Sequence, residues 1–241
     1  MMDGRAACVV FGGSGAVGRE VCRTLAASGA RVGFTYFSNA SNGLDAIGRR
    51  LDVTDVAAID RTLNDFHAEF GRIDAFVNCA AVGTTVPHEG TTVHHTMGDV
   101  DERAWNMMID VNARSSFFAV RRLGCLMRGA GGNIVLLGSI DGVKPAPSPV
   151  HYAASKAALT GMAKAMAKEL GPHNIRVNVV APGVLDGGLS QVLPDDLRAQ
   201  YLKHCGLKRL GRLEEVASVV AWLALENTLV TAQTIVVDGA L

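Results

Sequence analysis

Short apolar runs recur along the chain, and each is followed by a longer stretch in which apolar residues return at helical spacing. Ala7 to Phe11, Arg31 to Tyr36, Arg49 to Asp52, Ala75 to Asn78, Asn133 to Leu137, Arg176 to Val180 and Thr234 to Val237 are predicted strands. Most are apolar on both faces, as in AFVN, NIVLL, VNVV and TIVV. Strands buried on both sides in a parallel sheet read this way, whereas half-exposed antiparallel strands alternate. Helical spacing covers 17–28, 55–70, 101–128, 150–171 and 213–226. Strand and helix alternate without a repeat or a linker. The expected architecture is therefore one α/β domain over residues 1–241, a doubly wound seven-stranded parallel sheet with helices on both faces. Two stretches, 81–100 and 183–211, show neither pattern. Long loops at the carboxyl ends of such strands are where ligands bind.

Composition narrows the classes of function. Of 241 residues 49% are hydrophobic, too many for a disordered chain, and 23 basic side chains cancel 23 acidic ones. Balanced charge supplies no field to draw in nucleic acid or an anionic membrane. The longest apolar stretch, Val216 to Leu225, is half of the roughly 20 residues that cross a bilayer. Cys8 to Phe11 is too short for a secretion signal. The chain is expected to be soluble and cytoplasmic, with neither nucleic acid nor membrane as partner. Cysteines 8, 22, 79, 125 and 205 form no C-x-x-C pair and no zinc spacing, so they read as reduced packing residues. His88, His94 and His95 lie in a polar stretch without cysteine, and no metal is expected there. Because that stretch follows the fourth strand, it is predicted to wall a substrate pocket.

Part of the excess of 27 glycines clusters where chemistry is expected. Gly12-Gly13-Ser14-Gly15-Ala16-Val17-Gly18 follows the first strand and runs into a helical pattern. By itself a glycine run is no more than a tight turn. At the first βα turn of a parallel sheet, backbone N–H groups and a helix N-terminus instead hold a dinucleotide pyrophosphate. The second strand should end at the adenosine ribose. There GFTYFSNASNGL, residues 33–44, contains no Asp or Glu to bond a ribose 2′-hydroxyl and select NAD. Ser38 and Asn39 stand in that place and can donate to a 2′-phosphate, which favours NADP, although no Arg or Lys accompanies them in sequence.

Tyr152 and Lys156 are four apart in a predicted helix and share a face. A phenol has a reference pKa near about 10, and a neighbouring ammonium is expected to lower it toward the range of a working acid or base. Ser139 follows a predicted strand, where its hydroxyl can hold a substrate oxygen. Singly, each residue reads as an ordinary surface aromatic, solvated charge or turn residue. Together, in GSIDGVKPAPSPVHYAASKAAL (138–159), they resemble the Ser, Tyr-x-x-x-Lys signature of the short-chain dehydrogenase/reductase family. Gly12 to Gly18, LDVTD at 51–55, IDVNARS at 109–115, RVNVVAPG at 176–183 and TIVVDGAL at 234–241 resemble further family elements, in the family's order.

The resemblance implies a Rossmann fold and hydride transfer between a nicotinamide and a carbonyl or secondary alcohol. It implies catalytic roles for Asn112, Ser139, Tyr152 and Lys156, with Asn112 and a water completing a proton relay through Lys156. Cofactor contacts are implied at Gly12, Ser14, Gly15, Val17 and Gly18, at Ser38, Asp52 and Val53, at Asn78 and Ala80, at Tyr152 and Lys156, and at Pro182, Gly183 and Leu185. The chain departs from the pattern at Phe11 and Ala16 in the glycine turn, at Cys79 and Ala81 in the usual Asn-Asn-Ala-Gly, and at Gly187, where a Thr is common. Ala232 and Ala240 stand where the family has glycine.

Within the family the resemblance is greatest to 3-oxoacyl-carrier-protein reductases, which implies an acyl-thioester or small-molecule carbonyl substrate. An acyl carrier protein would dock on a basic rim, for which Lys164, Lys168, His173, Arg121, Arg122 and Arg128 are the candidates. Small residues on two faces of the segment holding Tyr152 suit packing against a second subunit, and a homotetramer is expected. An NAD-linked dehydrogenase of a sugar, sterol or other secondary alcohol is the alternative enzyme. A non-catalytic NADP-binding regulator or scaffold is the alternative of another class, against which the presence of all four catalytic-type residues argues.

Overall fold

Every residue of β1 (Ala7–Phe11) and β4 (Ala75–Asn78) is buried, which places these two strands at the centre of the sheet. The computed structural model describes residues 4–40, 46–83 and 96–241, so His88, His94, His95 and the loop tip expected to wall the pocket lie outside the described residues. Around the central pair lie β2 (Arg31–Tyr36), β3 (Ile47–Arg50), β5 (Gly132–Leu137), β6 (Ile175–Pro182) and β7 (Thr234–Val237). The seven form one sheet in the order β3-β2-β1-β4-β5-β6-β7, and every pair is parallel. This is the doubly wound Rossmann arrangement that the alternating pattern predicts.

Alternation along the strands sorts the core into two layers. Ala7, Val9 and Phe11 point to one face, where α2 (Val56–Phe70), α4 (Ser115–Leu126) and α5 (Val150–Leu170) cover them. Cys8 and Val10 point to the other, under α1 (Ala16–Ala27) and α7 (Leu213–Leu225). Phe11 and Phe76 meet edge to face with ring centres 4.9 Å apart. Each fully buried ring contributes about 1.5–3 kcal/mol relative to exposure. The chain leaves β1 toward β2 and β3, then returns to β4 on the other side. The carboxyl ends of β1 and β4 therefore flank an open crevice, the position at which such sheets bind ligands.

Three elements differ from the sequence expectation. The third strand lies two residues earlier, because the Asp52 carboxylate accepts the Thr54 N–H at 2.9 Å and its hydroxyl at 2.7 Å, turning the chain out of the sheet. The predicted helix 101–128 is α3 (Glu102–Ile109) and α4 joined by a π-helical turn at Asp110–Arg114. The stretch 183–211 holds α6 (Asp195–His204), whose DDLRAQYLKH is too polar for an apolar stripe to reveal it. Its signals were Pro194 with Asp195 and Asp196 at the start and Lys203 and His204 at the end. All five cysteines are free as expected, and Cys125 is exposed rather than packed.

Ala232 and Ala240, where the family has glycine, hold left-handed backbone at φ 61° and 65°. A Cβ in that region costs roughly 1–2 kcal/mol, part of which glycine's freedom in the unfolded chain takes back. Ala232→Gly is therefore expected to stabilise the fold by about 0.5–1 kcal/mol and raise Tm by about 2 °C, read by thermal unfolding. Unchanged or lower stability would show that the Ala232 methyl, which packs on the core, is worth more than the strain it causes.

Candidate active site

The glycine turn is built to let a ligand approach the backbone. Gly12 has φ +70°, and a Cβ there would come within 2.7 Å of the Ala80 backbone, so the turn lies flush on the end of β4. Gly15 N–H closes the turn onto Gly12 O at 3.1 Å, and α1 begins at the next residue. Where the family has a Thr the chain has Phe11, yet the turn is still tied by a hydroxyl: buried Thr35 of β2 accepts the Gly12 N–H at 3.1 Å. Asn78 holds the other side, its Oδ1 accepting Ala80 N–H at 3.1 Å and its Nδ2 donating to Ser116 at 2.8 Å. A backbone cradle at a helix N-terminus, with no Cβ to fill it, fits a pyrophosphate.

Ser38, Asp52 and Val53 lie just past the carboxyl ends of β2 and β3, the first two exposed and Val53 half-buried against the core. The fold brings there the cation that the sequence around Ser38 lacks. Arg50 pairs with Tyr36 across the β2–β3 ladder, and its exposed side chain donates Nε–H to Phe37 O at 3.1 Å, beside Ser38. Arg19, also exposed, reaches the Ser14 carbonyl at 3.3 Å on the glycine-turn side.

From the turn a cavity of about 600 Å³ extends over the carboxyl ends of β4, β5 and β6. Gly15, Val17 and Gly18 line one end, Ser139, Tyr152 and Lys156 another part, and Pro182, Gly183 and Leu185 a third. Most of the rest is apolar, including Pro145, Pro147, Leu189, Leu193 and Leu197. Helix α6 closes one side with Gln200, Tyr201 and His204.

Lys156 is buried, 3% exposed, and its ammonium donates to the Leu137 carbonyl at the end of β5 at 2.9 Å. Burial pushes its pKa down to about 8, opposed by Cys79 and Asp141, so the ammonium persists below that pH and is lost above it. Its nitrogen lies 5.8 Å from the centre of the Tyr152 ring. Tyr152 differs from expectation. Burial, followed by the Asp141 carboxyl, drives its phenol well above the ordinary value, and only a Ser139 hydrogen bond pulls the other way. Desolvation is the largest cause, and it favours the protonated phenol.

Asn112, 1% exposed, lies in the π-helical turn, a feature frequent at functional sites. Its Oδ1 accepts Val82 N–H at 2.8 Å, and its Nδ2 donates to Val82 O at 3.0 Å and Ser155 at 3.1 Å. The side chain thus clamps the segment after β4 to α5. The proposed basic rim does not border the cavity. Arg121 pairs with Asp60 at 3.3 Å and Arg122 with Asn64 at 2.8 Å, both on α2. Lys164 and Lys168 lie 12 and 16 residues along α5 from Tyr152, about 18–24 Å by helix rise. Sequence reading missed Arg50, Asp141 and the α6 wall; Asp141 was visible two residues after Ser139, within the quoted signature.

Residues 13–241 match the family model described as enoyl-(acyl carrier protein) reductase. The chain is 35% identical over 244 residues to the 3-oxoacyl-[acyl-carrier-protein] reductase FabG of Escherichia coli, covering 97% of this chain and 96% of that one. It is 32% identical over 248 residues to the FabG of Thermotoga maritima, with 97% and 96% covered. Among solved structures, a dehydrogenase/reductase from Sinorhizobium meliloti superposes with TM-score 0.86 at 29% identity, covering 98% and 94% of the two chains. A short-chain dehydrogenase/reductase from Serratia marcescens gives 0.85 at 30%, covering 99% and 98%. A parallel seven-stranded sheet with a glycine cradle beside a half-buried Tyr152 and a buried Lys156 defines a nicotinamide-dependent oxidoreductase acting on CH–OH groups. The chain belongs to the short-chain dehydrogenase/reductase family.

Proposed function

We propose that the chain is an NADP(H)-dependent ketone reductase that converts a 3-oxoacyl thioester, carried on acyl carrier protein, into the 3-hydroxyacyl thioester in fatty acid or polyketide type metabolism. The observation that carries this reading is the placement of Ser139, Tyr152 and Lys156 on one largely apolar cavity continuous with the glycine turn. An acyl chain suits such walls, and the FabG similarity over nearly the whole chain supports the substrate class. The bound cofactor supplies a hydride to the carbonyl carbon. Tyr152 delivers its proton to the carbonyl oxygen, and Ser139 orients that oxygen. Lys156 holds the nicotinamide ribose and draws the replacement proton toward Tyr152. With the Asn112 side chain fully engaged, any part it plays in the relay falls to its main-chain carbonyl.

NADP is favoured because Arg50 and Arg19 supply positive charge beside Ser38 and Ser14, and residues 33–44 hold no carboxylate to bond a ribose 2′-hydroxyl. The enzyme is assigned to the cytoplasm; among the described residues no helix is long and apolar enough to cross a membrane.

The expected signature is NADPH-dependent reduction of an acetoacetyl thioester, lowered about 10²–10⁴-fold in Tyr152→Phe with NADPH binding retained. Arg50→Met is expected to weaken NADPH about tenfold and leave NADH unchanged, as loss of one charge-assisted phosphate contact would. Binding of NADPH without turnover of any carbonyl would favour a regulator instead. Equal use of NADH by both proteins would favour the NAD-linked dehydrogenase.

We also propose a homotetramer. Its support is the exposed small-residue stripe Ala157, Gly161 and Ala165 on α5, with Phe117 44% and Trp222 41% exposed on α4 and α7. Light scattering is expected to read four chains; a monomer would overturn this part.

A further inference from the structure

Two residues past Ser139 the chain places an acid that the proposed reaction does not use. Asp141 lies in the short turn Ile140–Gly142, which Ser139 caps. The Ser139 oxygen accepts the Asp141 N–H at 3.3 Å, and its O–H is donated to Asp141 Oδ2 at 2.9 Å. The turn is pinned to α5, since a Cβ at Gly142 would come within 2.6 Å of the Lys156 carbonyl carbon and the Ala157 nitrogen. Asp141 is half-buried and lines the same cavity as Ser139, Tyr152 and Lys156.

A carboxylate and a carboxylic acid treat Ser139 in opposite ways. Ionised, Asp141 only accepts, so it takes the serine proton and leaves lone pairs to face the cavity. Protonated, it has an O–H of its own to give to Ser139 Oγ, and the serine proton is free for a substrate oxygen. A carbonyl oxygen under hydride attack gains negative charge and is stabilised by donors. We infer that Asp141 is a positioning residue whose own protonation decides whether Ser139 offers the substrate oxygen a proton or a lone pair. This rests on the reading of carbonyl reduction at Ser139 and Tyr152.

Tyr152 and Lys156 from α5 couple to it, Cys79 after β4 and Tyr201 and His204 from α6 line the same cavity, and the Lys144–Asp238 pair follows its turn. Burial raises the Asp141 carboxyl above its ordinary range, while the Ser139 hydrogen bond and Lys156 pull it down. The acid form therefore persists to a higher pH than in an exposed Asp. As pH rises through that value, Ser139 is captured and reduction slows. Loss of the Lys156 proton near a pH of about 8 gives a second, separate decline.

The test is the pH profile of NADPH-dependent reduction of an acetoacetyl thioester by the wild type, Asp141→Asn and Asp141→Ala. In the wild type kcat is expected to fall as pH rises through the acidic range, and in both variants that inflection is absent. Asp141→Asn, whose amide donates to Ser139 at every pH, should have a kcat at neutral pH about tenfold above wild type with KM little changed. The decline near pH 8 and NADPH affinity, read by fluorescence titration, should persist in both variants. Superimposable profiles for wild type and Asp141→Asn, or a uniform loss of kcat at every pH, would overturn the inference while leaving the reductase reading intact. A wild type that reduces no carbonyl would instead overturn that reading, and this inference with it.

Discussion

A buried ammonium cannot be left without a partner, and in this chain that requirement falls on Lys156. Moving such a charge out of water costs several kcal/mol, which only a well-placed acceptor and neighbouring charge can offset. The Leu137 carbonyl at the end of β5 is the acceptor, and the displaced pKa of about 8 records how incomplete the compensation is. Because the contact joins α5 to the carboxyl end of a central strand, it fixes where the helix lies over the sheet. Tyr152 is one turn earlier on that helix, and Ser139 is two residues beyond Leu137, just past the end of that strand. That hydrogen bond, together with the packing of Leu159, Ala163 and Ala167 into the core, sets the spacing of all three groups.

The remaining elements hold this arrangement against the cofactor crevice. Asn112, buried in the π-helical turn, ties the segment after β4 to α5. On the far side Tyr201 of α6 donates to Asp238 O at 2.8 Å, and Lys144 pairs with Asp238 at 2.5 Å, so the chain after β7 braces both the cavity wall and the turn following Ser139. The glycine turn keeps its form without the family's Thr because Thr35 reaches it from the neighbouring strand.

What was legible in the sequence is what local pattern encodes. Doubly apolar strands gave the parallel sheet, and the Tyr152–Lys156 spacing gave a shared helix face. What was hidden depends on contacts distant along the chain or on polarity that masks a helix. Arg50 is 12 residues from Ser38, and only the β2–β3 pairing brings it there. The α6 wall is built from a polar helix that buries little beyond Tyr201. The sign of the Tyr152 shift was misjudged because spacing shows the nearby ammonium and not the desolvation or the Asp141 carboxyl. The six basic candidates do not line the cavity, because α2 engages Arg121 and Arg122 and the length of α5 carries Lys164 and Lys168 away from Tyr152.

The most direct measurement follows one atom. NADPH carrying deuterium at the transferring position of nicotinamide C4, incubated with the protein and an acetoacetyl thioester, should yield a 3-hydroxyacyl product one mass unit heavier, labelled at C3 in a single configuration. An unlabelled product, or deuterium spread over both configurations at C3, would contradict a hydride delivered within the cavity that Ser139, Tyr152 and Lys156 line.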